Sequence, residues 1–161
     1  MNRSVESVIR FVNLTTSGLL AGSLGFGDSA LVPGWENERI RDARNRRNLQ
    51  AAGYFNSIGP LALASSITLA VGARHQTAAR RTLDVFSTLG LAGVLAATIF
   101  VTVPISKRLD TTAPIDYPSQ DSQSLQRNWG RANTLRTALG VGAFLCAVMA
   151  NVSPANSKQK G

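Results

Sequence analysis

Four long stretches of the sequence contain no charged side chain. They cover residues 11–27, 48–73, 85–106 and 137–157. A helix needs about 20 mostly apolar residues to cross the hydrocarbon core of a bilayer, and three of the stretches are that long. The pattern therefore predicts four transmembrane helices, at about residues 8–31, 53–73, 84–105 and 135–153.

The first stretch is shorter than the other three and has two interpretations. Val8 and Ile9 extend it past Arg10, whose long side chain can reach the membrane interface. A cleaved signal peptide would instead end at a site of small residues. Because the apolar stretch continues to about Pro33 without such a site, we expect a retained helix.

The third stretch argues against a soluble helical bundle. Helices of a soluble bundle are amphipathic, whereas residues 89–105 have no polar face apart from Thr98 and Thr102. A chain of 161 residues cannot fully bury four such helices. We therefore predict an all-α, multi-pass integral membrane protein, a four-transmembrane-helix bundle formed by a single domain at residues 1–161.

The charged residues, 16% of the chain, are concentrated between the predicted helices. Two longer polar loops, at about 32–52 and 106–134, lie on one side of the membrane, opposite both termini. The net charge of +8 comes from arginines and lysines that flank the spans, so no nucleic acid partner is expected. These cations are divided too evenly to assign an orientation, and which membrane holds the protein stays open.

The first loop alternates in charge and has no proline between Glu36 and Gly53, so it can form a helix that extends the second span. Aromatic residues accompany both loops: Trp35, Tyr54, Tyr117 and Trp129. Such residues either anchor a membrane interface or line a mouth through which an apolar ligand enters from the bilayer.

Small residues mark faces on which helices can approach closely. The first helix has a G-x-x-x-G pattern, and glycine pairs recur in the third and fourth helices: Gly18 and Gly22, Gly90 and Gly93, Gly140 and Gly142. In lipid, such faces drive helix packing. These faces serve one of two purposes: contacts within the bundle, or contacts with other subunits in a homo-oligomer or a larger membrane complex. The lipid bilayer is the other expected partner.

Polar residues inside a span are costly and therefore point to function. Asp28 is the one acidic residue that we expect inside a span, and Arg136 begins the fourth span at a similar depth. We expect the two to form an ion pair. The pair either belongs to a functional site or only holds the first and fourth helices together.

The fourth helix opens with an unusual face. Trp129, Asn133, Arg136 and Thr137 are spaced so that they share one side of a helix that enters the bundle. The guanidinium and the amide can together hold a planar phenolate or enolate oxygen. His75 is the one histidine and has no partner ligand, so no metal site is expected.

Two motifs carry a family resemblance. The pattern Val-Pro-x-x-x-Arg-Leu at 103–109 and the pattern Trp-x-x-x-Asn-x-x-Arg-Thr at 129–137 resemble the anthrone oxygenase-like family of small four-helix membrane proteins. Gly59-Pro60 at the head of the second span also fits its layout. The family often has Asn where this chain has Ser106, whose hydroxyl can still form a hydrogen bond.

The resemblance implies oxidation of polyketide anthrones to anthraquinones, a step of secondary metabolite biosynthesis. In that scheme Asn133, Arg136 and Asp28 are catalytic, and Trp129, Thr137 and Ser106 bind an apolar aromatic substrate. No cofactor is expected and dioxygen is the co-substrate, while the sequence leaves open whether a haem or quinone binds between the helices. The alternative is a non-enzymatic small membrane subunit, in which the same polar residues form a closed network.

Overall fold

The computed structural model describes residues 1–26, 38–72, 76–112 and 120–153, and these residues are almost entirely helical. Helix α1 is Arg3–Phe26, α2 is Glu38–Gly72, α3 is Ala78–Ala97, α4 is Val103–Thr112 and α5 is Gln120–Val152. A single π-helical turn, Thr98–Thr102, joins α3 to α4. The described ranges contain no strand, which confirms the predicted all-α class.

The long helices α1, α2, α3 and α5 pack in a closed ring. Helix α1 lies between α2 and α5, and α3 lies between the same two helices on the opposite side. The centre is filled by small and medium apolar side chains: Leu20, Leu24, Ala62, Leu91, Val94 and Ala143. This arrangement confirms the predicted four-helix bundle.

Three helices of the described chain are long and apolar enough to cross a membrane: Tyr54–Gly72, Ala78–Ile105 and Arg127–Val152. Large apolar side chains such as Phe86 and Phe100 lie exposed on their outer faces, as expected for contact with lipid. The described part of α1 is less apolar because Arg3, Glu6 and Arg10 lie in its first half. The predicted first span, 8–31, also extends beyond the described residues.

Both segments predicted as loops contain helix. Helix α2 begins at Glu38, α4 continues to Thr112 and α5 begins at Gln120, so the bundle helices extend well past their apolar stretches. The predicted helical extension of the second span is present. Hydropathy marks where a helix meets lipid, whereas backbone hydrogen bonding continues through polar sequence until another signal ends it.

The π turn adjoins Pro104. A proline inside a helix lacks an N–H donor, and its ring crowds the carbonyl four residues earlier. Here the backbone N–H of Val103 donates to the carbonyl of Thr98, five residues back, so the turn before the proline is wider than an α turn. The wider turn accommodates Pro104 without ending the helix.

A buried ion pair joins α1 to α3 across the bundle. Arg10 donates from Nη1 to Oδ1 of Asp84 at 3.3 Å and from Nη2 to Oδ2 at 3.1 Å. It also donates to Glu6 at 3.0 Å and to Gln76 at 2.8 Å. Arg10 is 6% exposed and Asp84 is 3% exposed. The guanidinium is thus neutralised and hydrogen-bonded on every nitrogen.

Two sequence expectations are therefore wrong. The side chain of Arg10 does not extend outward but lies inside the bundle, where it pairs with the carboxylate of Asp84. Asp28 is not the one acidic residue of the spans, since Asp84 lies about two turns inside α3 and within a candidate span. Asp84 directly precedes the charge-free stretch at 85–106, and the predicted span of 84–105 therefore makes it the first residue of the helix rather than a residue inside it.

Small polar side chains continue this network towards the centre of the bundle. Asn13 donates to the carbonyl of Ala62 and to Ser65 Oγ, both at 3.3 Å, which ties α1 to α2. Ser66 and Thr88 share a hydrogen bond of 2.8 Å, which ties α2 to α3. Hydrogen bonds of this kind hold helices together in lipid, where helix association has no hydrophobic driving force.

Glycines allow α5 to pack closely against α3 and α1. A Cβ added at Gly90 would lie 2.9 Å from Ala143 Cβ and 3.1 Å from the carbonyl oxygen of Leu139. A Cβ added at Gly140 would lie 2.9 Å from a methyl group of Leu24. These two glycines therefore serve contacts within the bundle, as one of the two sequence interpretations expects.

We expect Asp84→Asn to destabilise the bundle strongly. The substitution removes the buried counter-charge of Arg10 and leaves only the partly exposed Glu6, and breaking a buried pair from one side typically costs about 3–5 kcal/mol. Thermal unfolding in detergent measures the effect. The double variant Arg10→Met with Asp84→Leu removes both charges and should recover most of the lost stability. An Asp84→Asn protein as stable as the wild type would contradict this account of the pair.

Candidate functional site

The opposite end of the bundle holds a second buried arginine. Arg136 of α5 is 6% exposed, and its Nη1 donates to Thr102 Oγ1 at 3.4 Å. Its Cζ lies 5.7 Å from the ring centroid of Phe55, within the range of a cation–π interaction. Its Nε is buried and has no hydrogen-bond partner in the part of the chain that the structure describes.

Helix α5 brings neighbouring polar groups to the same place. Asn133 lies one turn before Arg136 on the inner face and is 4% exposed. Thr137 follows Arg136 and donates from its hydroxyl to the carbonyl of Leu24 at 3.3 Å. The π turn supplies the remaining group, since Thr102 is its last residue and faces the guanidinium. Helices α1, α2 and α5 and the π turn thus all contribute to this end of the bundle.

The two buried arginines differ in how their positive charge is compensated by neighbouring groups. Arg10 has two carboxylate partners and an amide partner at 2.8–3.3 Å. For Arg136 the described residues offer one hydroxyl, one aromatic face and no carboxylate. A buried cation requires a nearby anion or a dense set of acceptors. The Arg136 end is therefore suited to an additional anionic group.

Sequence analysis predicts that this group is Asp28. Residue 28 lies outside the described residues, so the Asp28–Arg136 pair stays a prediction. The side chain of Ser106 also lies outside the described part, although its backbone belongs to α4. Trp129 is half-buried, two turns before Arg136 on α5.

Phe55 is the contact that sequence reasoning missed. The site residues that the sequence predicts belong to the first and fourth helices and to the segment after the third, whereas the ring beneath Arg136 belongs to the second helix. The sequence did contain evidence for this contact. In an antiparallel bundle, the first residues of the second span lie at the same depth as the first residues of the fourth span. Phe55 and Arg136 occupy those two positions.

The polar groups at this end are a guanidinium, an amide and two hydroxyls. The described residues contain no group of three or more His, Cys, Asp or Glu that could hold a metal ion. A guanidinium offers several N–H donors in one plane, which suits a delocalised oxyanion. With an aromatic ring on one face of that plane, the arrangement fits the oxygen-bearing edge of a flat conjugated anion.

No curated protein and no solved structure matches this chain. The family profile described as anthrone oxygenase matches residues 47–146. The matched range contains Phe55, Thr102, Asn133 and Arg136, the residues gathered at this end of the bundle, and it confirms the resemblance found in the sequence. Because the match covers more than half of the chain, the protein belongs to the anthrone oxygenase family.

Proposed function

We propose that this protein is a membrane-embedded oxygenase that uses dioxygen to convert an anthrone-type aromatic into an anthraquinone. The observation that carries the proposal is the buried Arg136, whose charge meets no described carboxylate and whose Nε has no described partner. The family supports the same direction, since it is described by this reaction class. The substrate and the activity are the content of the proposal.

The first step is removal of a proton from the central methylene group of the anthrone. Asp28, which the sequence assigns to the same end of the bundle, is the proposed base. The resulting anion is delocalised onto the ring oxygen, so negative charge develops beside the guanidinium of Arg136. Donors fixed where charge develops lower the barrier most effectively in a site of low dielectric constant.

The oxidation then proceeds between the anion and dioxygen. The carbanion transfers one electron to dioxygen, and the two radicals combine to form a carbon–oxygen bond. The resulting peroxide anion takes back the proton held by Asp28 and becomes a hydroperoxide. Loss of water from the hydroperoxide breaks the O–O bond and removes the second methylene hydrogen. One dioxygen atom becomes the new carbonyl oxygen and the other leaves as water. All the electrons come from the substrate, so the balance requires no further reductant.

The surroundings of Arg136 suit this chemistry. Below it lies the apolar layer of Leu24, Val94 and Leu139, which separates it from the polar network around Arg10. Phe55 covers one face of the guanidinium. Asn133, buried one turn away, is the proposed second donor to the substrate oxygen.

A non-enzymatic membrane subunit is the second candidate, and the outer face of α1 favours it. Gly22 and Gly25 lie there with no atom within 4 Å of an added Cβ, so a partner helix could approach closely. Purification in mild detergent separates the candidates. A stoichiometric partner protein would favour the subunit, whereas a lone protein with a bound aromatic compound would favour the oxygenase.

We expect Arg136→Gln to lower kcat for an added anthrone by about 10²–10³, the usual loss when an oxyanion donor is removed. The matched control is Arg131→Gln, which removes one charge from the exposed face of the same helix. Anthraquinone formation in membranes, followed by absorbance, measures both variants. Turnover by Arg136→Gln at the wild-type rate, in folded protein, would refute the proposed role.

We expect Asp28→Asn to lower kcat by about 10²–10⁴, the usual contribution of a general base. A carboxylate acts as a base only when it is deprotonated, so wild-type turnover should fall as the pH is lowered. Asp28→Asn should lose that dependence. Parallel pH–rate profiles for the two proteins would show that the base is another group.

A further inference from the structure

An open groove lies on the outer face of α1, away from the bundle core. Its volume is about 630 Å³, and its lining includes Phe11, Leu19, Gly22, Phe26, Tyr54 and Phe144. We infer that this groove binds a planar, apolar aromatic molecule dissolved in the bilayer and delivers it to Arg136. The delivery step rests on the proposed function, whereas the binding step stands by itself.

The floor of the groove has few protruding side chains, because it consists of Gly22 and of the Phe144 ring that packs over Gly18. Gly18 is covered by the ring of Phe144, whose Cε2 would lie 3.1 Å from an added Cβ. One turn further along α1, no atom lies within 4 Å of an added Cβ at Gly22. Aromatic rings stand at both ends, with Phe11 at one end and Phe26 at the other. A flat floor between rings complements a fused polycyclic ligand.

The size of the groove agrees with such a ligand. Sites for small molecules usually have volumes of about 300–1,000 Å³ and predominantly apolar linings. The lining here is apolar or aromatic apart from two hydroxyl side chains of α1 and the phenol of Tyr54. An open, apolar groove facing lipid selects a ligand by its shape and hydrophobicity rather than by hydrogen bonds.

Two consecutive aromatic residues connect the groove to the buried arginine. Tyr54 lines the groove, and its ring meets that of Phe55 edge to face, with centroids 5.7 Å apart. Phe55 in turn lies beneath the guanidinium of Arg136. The path from lipid to Arg136 therefore crosses a wall only two side chains thick.

Tyr54 is the movable part of that wall. It is 36% exposed, and its hydroxyl makes one hydrogen bond of 3.3 Å, to the carbonyl of Leu19 on α1. Breaking one exposed hydrogen bond costs little, because water can replace the lost partner. Phe55, by contrast, packs against the core cluster. Rotation of Tyr54 alone would expose the ring that contacts Arg136.

Photolabelling tests the binding step directly. Anthraquinone does not react with dioxygen in the dark, but on irradiation it abstracts hydrogen from nearby C–H groups and forms covalent adducts. We expect wild-type protein in phosphatidylcholine nanodiscs to be labelled mainly at groove residues of α1, as mapped by mass spectrometry. In Gly22→Leu the new side chain occupies the groove, and labelling there should fall about tenfold.

Gly142→Leu is the matched control. Gly142 lies exposed on α5, and no atom lies within 4 Å of an added Cβ there either, so the same substitution adds bulk to a lipid-facing surface outside the groove. This variant should be labelled like the wild type. Labelling spread evenly over all lipid-facing helices, or unchanged by Gly22→Leu, would overturn the inference.

Further measurements distinguish groove binding from the oxygenase proposal and from the formation of a dimer. Arg136→Gln should be labelled in the groove like the wild type, because Arg136 does not line the groove. If the wild-type protein shows no turnover, the oxygenase proposal is refuted, and the labelling experiment still tests whether the groove binds the aromatic ligand. With turnover, Gly22→Leu should raise KM about tenfold at nearly unchanged kcat. If Gly22→Leu instead converts a crosslinkable dimer into a monomer, the occupant is a second copy and the inference is wrong.

Discussion

The structure depends on how an apolar bundle accommodates buried positive charge. Arg10 and Arg136 are equally buried, one at each end of the bundle, and both lie on faces that small and apolar residues otherwise fill. A charge in such surroundings is tolerated only with a compensating partner. The bundle supplies that partner within its own described residues at one end, through Asp84 and Glu6, and offers only Thr102 and Phe55 at the other.

This asymmetry distinguishes the Arg10 end, where the fold itself compensates the charge, from the Arg136 end, where we propose the reaction. The Arg10 network ties α1 to α3 across the ring and, with the hydrogen bonds around Asn13, fixes the helices against one another. The apolar layer around Leu24 and Val94 lies between the two ends. Because the Arg10 network already holds the helices together at one end, the other end can retain a guanidinium whose Nε has no hydrogen-bond partner among the described residues.

The sequence predicts the fold well because lipid imposes a simple rule on composition. Charge-free stretches identify the helices, and their antiparallel order brings Arg136 and Asn133 to one end. The same rule misjudges the depth of Asp84, since the apolar stretch makes it the first residue of the predicted span although its helix begins at Ala78. Phe55 is missed for another reason: which side chain faces which arginine depends on helix rotation, and an apolar helix has little sequence pattern from which that rotation can be predicted.

The π turn has a consequence for helix rotation. An α-helix advances by about 100° per residue, so the additional residue that a π turn accommodates shifts the azimuth of everything after it by about that amount. The buried faces of α3 and α4 must therefore be predicted separately. A single 3.6-residue periodicity applied to both helices predicts the wrong buried face for one of them. Thr102 is the last residue of the π turn. Insertion or deletion of a single residue in α3 would therefore rotate the hydroxyl of Thr102 away from Arg136.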